Sequence, residues 1–78
     1  MTNINNATTT ETKLQQILTE RNMSQADLIR LIAAKTHKEY GRTLMSRIVR
    51  GEYKLSLKIA KNICKALDVK IDDLLEED

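Results

Sequence analysis

Proline, tryptophan and phenylalanine are missing from this 78-residue chain, and glycine occurs only twice. With no proline and with strong helix formers throughout, little interrupts a helix, and the scarcity of aromatic and turn residues argues against a sheet-built domain. A single cysteine, Cys64, excludes an internal disulfide, and no second cysteine or close histidine joins it to make a metal site. Its expected place is the packed interior. Long apolar runs are missing too: none approaches the ~20 residues that span a bilayer, and the opening MTNINNATTT lacks the basic and apolar stretches of a secretory signal. We therefore expect a soluble, cytoplasmic protein with no membrane contact. The length allows one domain and leaves no room for a large catalytic cleft. One histidine, no glycine-rich phosphate loop and no carboxylate pair outside the acidic tail argue against an enzyme and against a cofactor.

What is present is charge, and it is segregated. The net charge of +2 is spread unevenly along the chain. Residues 42–65 hold Arg42, Arg47, Arg50, Lys54, Lys58, Lys61 and Lys65 against Glu52 alone, whereas residues 66–78 hold Lys70 against Asp68, Asp72, Asp73, Glu76, Glu77 and Asp78. A basic stripe beside an acidic tail is the electrostatic footprint of a polyanion binder, although the solvated face of any amphipathic helix looks similar until its positions are examined.

Periodicity supplies those positions. Residues 1–10 are rich in Asn and Thr and read as a flexible arm, with residues 11–78 as the folded domain. Leu14, Ile17 and Leu18 recur at helical spacing from Glu11, which predicts a first helix over 11–22 capped by Thr8 with Glu11 or by Thr10. Ser24 caps a second helix carrying Leu28, Leu31 and Ile32, with Asp27 in its first turn, running to about Lys35. The stretch THKEYG breaks the pattern, and His37 and Tyr40 read as plain loop residues. A third helix with Leu44, Met45 and Ile48 is expected to start at Arg42 or Thr43 and to end near Arg50, because Gly51 stands where a left-handed cap belongs. Another start, at a Thr36–Glu39 capping box, would place Gly41 inside the helix at a cost of about 1 kcal/mol. Ser56 caps a fourth helix with Ile59, Ala60, Ile63 and Leu67 inward, Cys64 and Ala66 beside them, and Lys58, Lys61 and Lys65 outward. Asp68 ends it, and Ile71, Leu74 and Leu75 predict a brief fifth helix.

Two successive helices, the second short, basic and closed by Gly, form the arrangement in which one helix crosses the DNA backbone and the next reads base edges. Over Gln15–Leu75 the segments ILTERNMSQADL, MSRIVRGEYKLSL and AKNICKALDVKIDDLL resemble the Cro/cI-type, lambda-repressor-like helix-turn-helix family. The resemblance implies an all-α, compact five-helix domain with an extended turn between helices two and three, because the Ser24-to-Gly51 distance is about six residues longer than is usual in such motifs. Two positions depart from the family pattern: Val49 stands where Glu is common, and Asp68 stands where Gly usually follows the fourth helix.

By the same resemblance, Arg42, Thr43 and Arg47 are expected to contact bases, and Gln25, Arg50, Tyr53, Lys54, Ser56 and Lys58 to contact phosphates. The chemistry suits these roles. Thr43 and Arg47 share a helix face, and an arginine fork can bond both acceptors on the major-groove edge of guanine, worth ~1 to 3 kcal/mol of discrimination. For Arg47 and Arg50 the blander account is a cation placed at a helix C-terminus. For the lysines it is a solvated face, for Gln25 a first-turn polar residue, and for Tyr53 a ring covering the core. One domain this small spans only a half-site, so a homodimer on a two-fold double-stranded DNA operator is expected, with Leu74 and Leu75 pairing unless the fifth helix is spent on the protein's own core. The compact format resembles phage or plasmid repressors. The rival expectation is a protein-interaction module on the same scaffold, such as an antirepressor or antitoxin, using the acidic C-terminal segment to hold a protein partner.

Overall fold

The computed structural model describes residues 11–75. Four α-helices follow one another, α1 (Lys13–Glu20), α2 (Gln25–Thr36), α3 (Arg42–Arg50) and α4 (Leu57–Leu67), and a 3-10 turn at Ile71–Asp73 closes the described chain. The expected arm at 1–10, the caps at Thr8 and Thr10, and the acidic residues 76–78 lie outside the described residues. Among the described residues the all-helical expectation holds, and a single 3-10 turn stands where the fifth helix was expected. In it, the backbone N–H groups of Leu74 and Leu75 both bond the Ile71 carbonyl, at 3.0 and 3.1 Å, and the Asp73 carboxylate accepts from Lys70 N–H at 3.2 Å. So short a segment gains too few hydrogen bonds to nucleate an α-helix, and one tight turn is enough to seat Leu74 in the core.

Local chemistry explains where each helix begins. α1 starts two residues later than periodicity predicts because Thr12 is its cap: the hydroxyl accepts from Gln15 N–H at 3.0 Å while donating to the Val49 carbonyl at 2.6 Å. Ser24 and Asp27 cap α2 reciprocally, each side chain accepting the other's backbone N–H at 3.0 Å. The Ser24 backbone N–H and, after it, the Ser24 hydroxyl hold the Asp27 carboxyl below its ordinary pKa. α3 begins at Arg42 after Gly41, without a side-chain cap, and Ser56 accepts from Ile59 N–H at 3.2 Å to start α4. The Thr36–Glu39 capping box does not form, because Thr36 belongs to the last turn of α2 and its hydroxyl donates to the Ile32 carbonyl at 2.8 Å.

Helix ends follow one rule with different residues. Asn22, His37, Gly51 and Asp68 all take left-handed backbone, with φ of 55°, 63°, 79° and 58°. After α1, Asn22 N–H bonds the Thr19 carbonyl and Met23 N–H the Leu18 carbonyl. After α3, Gly51 and Glu52 repeat the pattern on Ile48 and Arg47. Asp68 thus does the work of the glycine that the family pattern would place there, and Val69 N–H reaches Cys64 at 3.1 Å.

Two long-range bonds assign α1 a further job. The last carbonyls of a helix have no partner within it. Thr12 satisfies that of Val49 at the end of α3, and Arg21 Nη1 donates to that of Leu67 at the end of α4, at 2.7 Å. Both ends of α1 therefore close other helices. Between them lies the core of Leu14, Leu18, Leu28, Ile32, Met45, Ile48, Val49, Ile63, Cys64, Ala66, Leu67 and Leu74. α2 packs mainly on α4 and next on α3. Each large side chain fully buried here contributes about 1.5 to 3 kcal/mol. Val49 is 1 % exposed, so its methyl groups occupy a place that the family's Glu would fill only with a partner for its charge. Burial pushes the Cys64 thiol pKa up, in keeping with a packing role.

Candidate nucleic-acid interface

α3 is divided lengthwise. Met45, Ile48 and Val49 are buried, Leu44 is half-buried, and Arg42, Thr43, Arg47 and Arg50 are exposed. At about 100° per residue, Thr43, Arg47 and Arg50 fall on one stripe, and Arg42 lies a quarter turn or so to its side. The apolar residues hold the helix from beneath, which leaves the polar stripe free of structural duty. Ser46, half-buried, sits four residues from Arg42 and three from Thr43, between the two halves of that surface. Its i+4 and i+3 spacings from Arg42 and Thr43 put it on the same side of the helix.

The six residues expected at phosphates divide into three groups. Lys54 and Lys58 are exposed, one in the α3–α4 connector and one in the first turn of α4, and both present ammonium groups beside the α3 stripe in sequence. Gln25 is the first residue of α2 and half-buried, and Ser56 is exposed while its oxygen caps α4. That oxygen accepts within the protein, so the Ser56 O–H remains able to donate outward. Arg50 and Tyr53 are more constrained. The Arg50 guanidinium donates to Glu52 at 3.2 Å, an ion pair whose side chains are both more than half exposed. Such a pair is worth little in water and leaves most of the five arginine donors unused. Tyr53 is 41 % exposed and lines a groove with Leu14, Ile48, Leu55, Leu74 and Leu75.

Two sequence expectations need correction. Leu74 is 2 % exposed, sunk into its own core, and so is not available to a second copy in this conformation. Leu75, at 43 %, is the one of the pair that faces outward. Tyr40 is not a plain loop residue. It is half-buried against the core, and its hydroxyl accepts from Asn62 Nδ2 at 2.8 Å across 22 residues of sequence. Nothing in the local pattern announces that contact, since the partner lies on α4. His37 is exposed and forms the left-handed cap of α2.

Among the described residues no group of His, Cys, Asp and Glu side chains is placed to hold a metal ion, and no helix is long and apolar enough to cross a membrane. What the surface offers is donors: guanidinium, ammonium and hydroxyl groups on α3 and just beyond it, the chemistry that meets phosphate oxygens and base edges. The family model for the Cro/C1-type helix-turn-helix DNA-binding domain matches residues 13–77, from the first residue of α1 through the final turn. No curated protein and no solved structure matches the chain.

Proposed function

Because the chain belongs to the Cro/C1-type helix-turn-helix DNA-binding family, we propose that it is a transcriptional repressor that reads the major groove of a double-stranded operator with α3. The observation that carries this reading is the lengthwise division of α3. Its buried side is complete in Met45, Ile48 and Val49, while three arginines and Thr43 stand exposed on a helix of nine residues. A module that bound only protein would have no use for so many planar cations on one short element. In this reading Arg42, Thr43 and Arg47 meet base edges, with Ser46 beside them. Gln25, Arg50, Tyr53, Lys54, Ser56 and Lys58 hold the backbone and set the register.

One domain covers a half-site, so the repressor acts as a homodimer on a two-fold operator, in the cytoplasm, by occupying promoter DNA. Leu75, not Leu74, is the residue of the last turn that would face the other copy. Selection of bound duplexes from a random library at about 150 mM salt, where nonspecific attraction is suppressed, tests the proposal. Enrichment of a two-fold-related motif supports a dimeric operator binder. Enrichment of a single half-site removes the dimer, and no enrichment at all moves the function to a protein partner such as that of an antirepressor or antitoxin.

A further inference from the structure

The first turn of α3 is only partly anchored. Arg42 and Thr43 are exposed, Leu44 is half-buried against the core, and the first fully buried residue is Met45. Gly41 supplies no side-chain cap, so the start of the helix is not fixed by its own N-terminus. The far end is held differently: Gly51 closes it, and the Thr12 hydroxyl ties the Val49 carbonyl at 2.6 Å. At the near end a turn of five residues, His37 to Gly41, leads into the helix.

That turn is fastened at both sides. Thr36 stops α2, its hydroxyl donating to Ile32 and accepting from Lys38 N–H at 3.2 Å. Two residues before Arg42, Tyr40 inserts against the core and accepts from Asn62 Nδ2 at 2.8 Å. Asn62 belongs to α4, whose neighbouring Ala60 and Ile63 are fully buried, so the donor stands on a helix anchored in the core.

We infer that the Tyr40–Asn62 hydrogen bond is a strut that positions the N-terminal turn of α3, making Tyr40 a positioning residue for sequence discrimination without touching DNA. The inference rests on the proposed reading of α3. Its physical basis is that base contacts are demanding in geometry, since a bidentate arginine pair tolerates little displacement, whereas phosphate contacts are tolerant. Loss of the strut therefore lowers affinity for the preferred duplex and leaves affinity for an unrelated one almost unchanged.

The test uses the full chain, with Tyr40→Phe, Asn62→Ala and the double variant. Each is measured at one salt concentration on a duplex recovered by the library selection and on an unrelated duplex of equal length. Thermal unfolding followed by circular dichroism confirms that each variant is folded at the assay temperature. Tyr40→Phe keeps the ring in the core and removes only the hydroxyl, and Asn62→Ala removes the donor from the other side. Each single variant is expected to bind the selected duplex roughly 3- to 10-fold more weakly, the scale of one hydrogen bond. Binding to the unrelated duplex should change less than about twofold, and the double variant should equal the singles because one bond cannot be lost twice. Folded variants whose discrimination matches wild type overturn the inference, as do losses that are equal on both duplexes or that multiply in the double variant. Failure of the wild-type chain to yield any preferred duplex overturns the proposed function, and the strut with it.

Discussion

α3 and α4 are built to the same outline but differ in how they are held and in the charges they present. Both are apolar on one side and basic on the other, and both end in a left-handed residue. α4 buries Ala60, Ile63, Cys64, Ala66 and Leu67 and is capped by Ser56. α3 buries three residues and starts without a side-chain cap. The outer faces differ as well: Arg42, Arg47 and Arg50 on α3, and Lys58, Lys61 and Lys65 on α4. Lysine presents a hydrated point charge that is content with water or phosphate, whereas arginine presents a fork that matches two acceptors at once. On the proposed reading the contrast separates the helix that carries stability from the helix that carries recognition, and each of the following substitutions would break or sharpen it.

The largest effect belongs to α4. Ile63→Ala removes a fully buried side chain and should cost about 2 to 5 kcal/mol in denaturant unfolding, enough to leave a chain of this size partly unfolded. Its folded fraction should still prefer the same duplex. On α3 the expectation reverses: Arg47→Ala should leave unfolding within about 0.5 kcal/mol of wild type yet cost ~1 to 3 kcal/mol in binding and relax preference at one base pair. Unchanged preference would show that this face does not read bases.

Gly51→Ala tests the boundary between α3 and the connector. The new methyl would sit at φ +79° and 3.0 Å from Thr12 Cγ2, so both backbone and neighbour must give. A loss of about 1 to 2 kcal/mol in thermal stability is expected, with no change in base preference. The smallest effect is that of Lys54→Ala, which should weaken all duplexes alike and reduce the magnitude of the slope of log K against log salt by about 1. A sequence-dependent loss there would move Lys54 from the backbone to the bases.

Periodicity located all four helices to within a residue or two, because an amphipathic stripe at 3.6 residues per turn is a local property of the chain. Ser24, Ser56 and Gly51 were legible for the same reason: a cap acts on the helix beside it. The lengthwise division of α3 was legible too, since Thr43 and Arg47 sit four apart around buried Met45 and Ile48.

The sequence by itself thus determined an all-helical domain, the order and approximate ends of its helices, and a basic third helix whose outer side chains are arginines. Tertiary structure decided the rest. Thr12 became the cap of α1 because its hydroxyl also reaches Val49, Leu74 went into the core from a single 3-10 turn, and Tyr40 left the loop to meet Asn62. In each case the deciding partner lies on an element packed from elsewhere in the chain, and hydrogen bonds and burial act across space that periodicity along the chain does not see.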